Sequence, residues 1–155
     1  MSLKLSISEQ DLTLVGSELC AKITDSVAKR LSYGGVLELA EVNLVTREEI
    51  QALNKEHRGL DEATDVLSFP TSTALSRLAA KETQDEVLLG TIIICPEKAE
   101  IYKESLAELV LHGLLHLYGF DHETDLESWL ALERPIVAEL GEPSIVGIVT
   151  ENQAQ

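Results

Sequence analysis

Three of the four histidines in the chain fall in the segment Leu111-His112-Gly113-Leu114-Leu115-His116-Leu117-Tyr118-Gly119-Phe120-Asp121-His122, and any fold must place them together. If the segment is helical, His112 and His116 lie one turn apart on one face, so two imidazoles can point at a common centre. Gly119 can take the left-handed conformation that stops a helix and turns the chain back, which lets His122 complete the set. A lone histidine among Leu111, Leu114, Leu115 and Leu117 would read as a core residue. Three at this spacing do not, because burying three imidazoles without a shared partner is costly. Structural zinc normally has four protein ligands, so three leave a position for water or substrate, as in a catalytic site.

The spacing H-x3-H-x2-G-x2-H matches the metzincin pattern, but the Glu that follows the first His there and acts as base is replaced by Gly113. A Met-turn is missing too, since the only methionine is Met1. Both departures argue against proteolysis by that mechanism. The run His112 to His122 resembles instead the signature of the YbeY family of bacterial single-strand-specific metallo-endoribonucleases, H-G-x-L-H-L-x-G-[YF]-D-H, and matches every fixed position. A second stretch is similar to the same family: Asn54, Arg58 and the run Thr64-Asp65-Val66-Leu67-Ser68-Phe69-Pro70 occur in the family's order. The likeness implies a zincin-like metal site with zinc on His112, His116 and His122. It also implies that Arg58 is the catalytic, phosphate-binding residue, a role that suits a guanidinium fork. Its implied substrate is single-stranded RNA, especially small-subunit rRNA precursors, with ribosome quality control as the setting and the ribosome or its proteins as partners. One position departs from the family: Thr91 stands where an aspartate usually follows the glycine, which puts that aspartate's role in question.

Charge sets a limit on this reading. Twelve Lys plus Arg against 27 Asp plus Glu give a formal charge of −15. A chain this acidic releases few counterions on bulk nucleic acid, so avid sequence-independent binding, and DNA as a partner, are not expected. A local contact through a dication and one well-placed Arg needs less. No export signal and no run of eighteen apolar residues is present, so neither secretion nor a membrane span is expected and the cytoplasm is the simplest address. Cys20 and Cys95, far apart and in apolar surroundings, read as buried reduced thiols.

Length suits one domain across 1–155, with a tail frayed from about residue 142. Leu3, Leu5 and Ile7 alternate as a strand, and Leu12, Val15, Leu19, Ile23 and Val27 predict one amphipathic helix from Glu9 to about Leu31. Val36 to Val45 is a strand whose alternation slips near Ala40 and Glu41, the mark of a bulge or a late start. Thr46-Arg47-Glu48-Glu49 is a capping box that opens a helix to about Glu56. His57 and Arg58 then begin a polar loop feeding a strand that Pro70 ends. His57 reads as solvated, and Asp65 as bonded to local backbone amides. Thr71 to Glu86 lacks a period and reads as a surface excursion. Val87 to Cys95 is a central strand, followed by a short helix at Pro96 and the histidine helix from about Leu106 to Tyr118, opened by a capping box at Ser105. Thr124 or Asp125 caps a last helix in which Pro135 predicts a kink or stop and Trp129 packs inside. The expected architecture is α+β, with a mixed sheet of about four strands surrounded by helices.

The base is unassigned at this stage: Gly113 supplies no carboxylate, and Asp121 is either the nearest acceptor or a partner that orients an imidazole. Two rivals remain. One is a metal-dependent peptidase or amidase; the other is a non-catalytic ribosome-assembly factor that zinc only stabilises.

Overall fold

The computed structural model describes residues 3–32, 35–83 and 86–141. The expected frayed tail lies outside them. In chain order the elements are β1 (Leu3–Ser6), α1 (Glu9–Val15), α2 (Ser17–Leu31), β2 (Glu38–Leu44), α3 (Arg47–Arg58), β3 (Val66–Pro70), α4 (Ala74–Thr83), β4 (Val87–Ile94), α5 (Pro96–Ile101), α6 (Leu106–Leu117) and α7 (Leu126–Leu140). They form a single α+β domain around a four-stranded sheet of order β1-β2-β4-β3. β1 and β4 each run parallel to β2, whereas β3 is antiparallel to β4 and forms an edge of the sheet. The architecture matches the expected mixed sheet.

Several element boundaries differ from expectation, each for a local reason. The first helix is two, broken at Gly16, whose φ of +109° is open to glycine and strained for other residues. Because Val15, Ile23 and Val27 stay buried across the break, the hydrophobic period runs on and hides it. In β2 the slip in alternation is real: the strand starts late, at Glu38, and its register with β4 shifts between Leu39 and Ala40. The Thr46–Glu49 capping box forms in both directions, and α3 runs to Arg58 before Gly59 closes it in the left-handed conformation. His57 and Arg58 are thus the last turn of a helix and not the start of a loop.

The stretch read as an excursion holds α4. Thr73 and Ser76 cap each other, Thr73 Oγ1 accepting from Ser76 N–H at 3.1 Å and Ser76 Oγ from Thr73 N–H at 2.8 Å. A charge anchors the helix: Arg77, 7 % exposed, faces Glu38, 0 % exposed, with Nε 3.8 Å from the carboxylate. Tyr118 donates to the other Glu38 oxygen at 2.6 Å and lies under the Arg77 guanidinium. That buried charge pair joins residues far apart in the chain, so the sequence around α4 does not announce it. Pro135 sits inside α7, which Asp125 caps through Ser128 N–H and which continues to Leu140, so the proline does not stop it. At Ser105 the hydroxyl accepts from Glu108 N–H at 3.0 Å, as a cap should.

The larger core packs α2, α6 and α7 against one face of the sheet, and a smaller one seats Ile50 of α3 against Leu67, Ile93 and Cys95 on the other. Cys20 and Cys95 are free, buried thiols, as expected. The closest approach of the layers is at Gly113, where an added Cβ would lie 2.6 to 2.8 Å from three side-chain atoms of Ile92. Ile92 is fully buried in the central strand and has nowhere to withdraw. Gly113→Ala gains about 1 kcal/mol of helix propensity and loses more to overpacking. A net destabilisation of about 1–2 kcal/mol in urea unfolding is expected, and an unchanged or raised midpoint would refute the close contact.

Candidate metal centre

The apolar face of α6 carries Leu111, Leu114 and Leu115 into the core and holds His112 and His116 on the neighbouring stripe. After Tyr118 the helix ends in a Schellman turn: Phe120 N–H reaches the Leu115 carbonyl at 3.0 Å and Gly119 N–H the His116 carbonyl at 2.9 Å, with Gly119 at φ +99°. Asp121 then accepts from Glu123 N–H at 2.9 Å and fixes the bend that carries His122 back. The predicted glycine turn is therefore present and returns His122 to its partners.

One ligand atom from each of His112, His116 and His122 lies within 4.8 Å of the others, and the Nε2 atoms of His112 and His116 are 3.1 Å apart. The Trp129 indole forms the floor, its ring centroid 4.9 Å from His112, 4.9 Å from His116 and 5.0 Å from His122. Its packing role was visible in the sequence, but its position beneath the histidines depends on α7 packing against α2 and had no local signal.

Burial holds the His112 imidazole well below its ordinary pKa, and the neighbouring rings push the same way. His116 is lowered first by burial and then by His122, while Asp121 and the Phe120 carbonyl oppose and Arg58 adds to the depression. His122 is lowered by burial against the pull of Glu123 and Asp121. The rings are neutral near pH 7, the state a metal requires. Among the described residues the buried His112 Nδ1 has no hydrogen-bond partner. Among the described residues no fourth His, Cys, Asp or Glu joins the group. Three neutral nitrogens thus fit a borderline dication and leave its coordination incomplete.

The site opens into a cleft of about 360 Å³ lined by the three histidines, Arg58, Asp65, Val66, Ser68 and Phe120, among others. Arg58, on the last turn of α3, makes no ion pair among the described residues; Asp61, a candidate partner for it, sits 3.8 Å from Lys55 instead. His57 is exposed and tilts against Phe69, outside the histidine cluster. Asp65 does bond locally, its Oδ1 accepting from Val66 N–H at 2.8 Å and from the Thr64 hydroxyl. Asp65 also lines the cleft, and its Oδ2 is buried with no hydrogen bond among the described residues, a feature the sequence did not reveal. Asn54 is structural, its side-chain amide donating to the Glu62 carbonyl at 2.9 Å. Thr91 donates to Glu41 at 2.9 Å and, alternating with Ile92, faces away from α6, so a side chain at 91 points away from the histidines.

Fold and site together define a class: a small α+β domain with an open three-histidine centre in a cleft between a helix and an edge strand. Residues 6–141 match the family model described as Endoribonuclease YbeY. An "Endoribonuclease YbeY" of a Sulfurovum species is 36 % identical over 148 residues, covering 90 % of this chain and 92 % of that protein. The protein of that name from Clostridioides difficile is 37 % identical over 126 residues, covering 75 % and 80 %. A solution structure of a Thermotoga maritima protein shares the fold, with a TM-score of 0.56 at 24 % identity, covering 96 % of this chain and 99 % of that one. The chain belongs to the YbeY endoribonuclease family.

Two outcomes test the site. A divalent metal at a hundredfold excess over its Kd adds about 2.7 kcal/mol to unfolding, read as a rise in melting temperature of about 5–10 °C. The rise is lost in His116→Ala, and its persistence there would remove the histidines as ligands. Behind the site, burial pushes the Glu108 carboxyl up to about 7, with Glu133, itself raised by burial, adding to the effect. Because the folded pKa exceeds the unfolded one, this group's contribution is fully present below about pH 4.5 and is lost as pH rises through 7. Glu108→Gln is expected to be near neutral at pH 5 and stabilising by about 1–3 kcal/mol at pH 8. Equal unfolding free energies for both proteins at both pH values would contradict it.

Proposed function

We propose that the chain is a metal-dependent, single-strand-specific endoribonuclease that holds zinc on His112, His116 and His122. It acts on small-subunit rRNA precursors and in ribosome quality control in the cytoplasm. The observation that carries this reading is the convergence of three imidazoles on a cleft that also presents Arg58, which makes no ion pair among the described residues. Family membership supports RNA as the substrate. The bound metal supplies Lewis-acid polarisation of a phosphoryl oxygen. Arg58 holds a second phosphoryl oxygen through its guanidinium fork and stabilises the charge that develops in the transition state. Asp65 is the proton acceptor for the attacking water or ribose 2′-hydroxyl, because it lines the cleft and its Oδ2 makes no hydrogen bond among the described residues. Asp121 is committed to the turn and serves to place His122.

The acidic chain fits a local contact. With −15 formal charge it gains little from the phosphate backbone as a whole, so ribosomal particles raise the effective concentration of the substrate.

The test uses an unstructured oligoribonucleotide and protein freed of contaminating nucleases. Arg58→Ala is expected to lower kcat about 10²–10³-fold and Asp65→Asn about 10²–10⁴-fold, both with metal-induced stabilisation retained. Arg58→Lys keeps the charge but not the fork and should rescue little. No cleavage by the unsubstituted protein with zinc, alone or with ribosomal particles, would sink the reading.

A further inference from the structure

The backbone of β3 presents a second recognition element beside the histidines. Register and hydrogen bonds fix which groups of the strand face outward. Thr71 N–H bonds the Leu89 carbonyl and Cys95 N–H the Asp65 carbonyl, so Asp65, Leu67, Phe69 and Thr71 form the hydrogen-bonded pairs with β4. Val66, Ser68 and Pro70 therefore turn their backbone polar groups away from β4, toward the open edge of the sheet. Pro70 agrees with this, since it lacks an N–H and sits where none is needed. Val66, Ser68 and Pro70 all line the metal cleft.

We infer that the Val66 carbonyl and the Ser68 N–H, an acceptor and a donor side by side on the open edge of β3, bind the Watson–Crick edge of an unpaired nucleobase next to the scissile phosphate. This rests on the ribonuclease reading and deepens it. The edge is too short to bind a peptide as an added strand: the Val66 N–H is already taken by Asp65 Oδ1 and Pro70 offers none, so Ser68 gives the sole outward N–H of β3. One acceptor next to one donor suits a single base. Adenine and cytosine each place an exocyclic amine beside a ring acceptor, and guanine and uracil each place a ring N–H beside a carbonyl. Every base can satisfy the pair by rotating, so the contact carries no strong sequence preference. A paired base cannot, because the same atoms are engaged in the duplex. Selectivity for single strands then comes from the strand edge and not from a cationic groove, which this acidic chain lacks the composition to build.

The experiment uses the full chain loaded with zinc. Ser68→Pro removes the donor without removing a ladder bond, and Leu67 before it is already extended. Ser68→Ala keeps the backbone and serves as control. The probes are an unstructured oligouridine and copies carrying one N3-methyluridine, which blocks the Watson–Crick edge, at successive positions. For the unsubstituted protein and Ser68→Ala, kcat/KM is expected to fall about fivefold to tenfold when the methyl group occupies one position and to stay unchanged elsewhere. Ser68→Pro should start lower by a similar factor and be indifferent to the methyl group, with its metal-induced rise in melting temperature intact. If Ser68→Pro loses that rise, the methyl scan of the unsubstituted protein decides alone. Cleavage with no methyl-sensitive position, or a flat scan with competition by an extended peptide, overturns the inference and leaves the ribonuclease reading standing. Absence of RNA cleavage by the unsubstituted protein overturns both.

Discussion

The contact between Gly113 and Ile92 sets the distance between the histidine helix and the sheet, and the geometry of the site follows from it. With no side chain at 113, α6 lies close enough to β4 that His112 and His116 face the neighbouring edge strand across a narrow cleft. A larger residue would lift the helix and separate the imidazoles from Val66 and Ser68 on β3. The same contact explains why the carboxylate of the metzincin pattern is missing. The position after the first histidine points into the central strand, where a glutamate has no room and no access to the cleft. A proton acceptor has to come from elsewhere, and Asp65, which lines the cleft, has an oxygen without a hydrogen bond among the described residues.

What could be read from the chain was what depends on neighbours in sequence. Capping at Thr46, Ser105 and Asp125 is local chemistry, as is the turn at Gly119, and each of these caps or turns formed where expected. The three converging histidines were legible for the same reason, since their convergence needs only one helix and one turn. Features held by distant partners were not. The helix α4 is fixed by Arg77 against Glu38 and Tyr118, residues far apart in the chain whose meeting no local pattern announces. The break at Gly16 was concealed by the very periodicity that announced the helix. Trp129 lies under the histidines because α7 packs against α2, and the second oxygen of Asp65 is left over once Oδ1 has taken the Val66 amide.

Neutral ligands reconcile the acidic composition with a site for a charged backbone. Three carboxylates would cancel the charge of a dication before any substrate arrived, whereas three imidazoles kept neutral by burial leave it undiminished. Arg58 contributes the nearby positive charge, and its depressing effect on His116 places it within electrostatic reach of the centre. The apparent conflict between a net charge of −15 and an RNA substrate concerns the whole surface and not the site.

That distinction changes how a strand of RNA can be selected. A basic groove attracts duplex and single strand alike through phosphate, with discrimination left to shape. In the proposed complex phosphate contacts are limited to the reacting group, so the remaining binding energy has to come from the base, and a base offers its polar edge only when unpaired. A sheet edge is suited to this because its donors and acceptors are rigidly spaced and held by the ladder behind them. The single outward N–H at Ser68 limits the contact to one nucleotide, and Pro70 stops the edge from templating a further strand. The feature that guards the strand against aggregation also sets the size of what it can read.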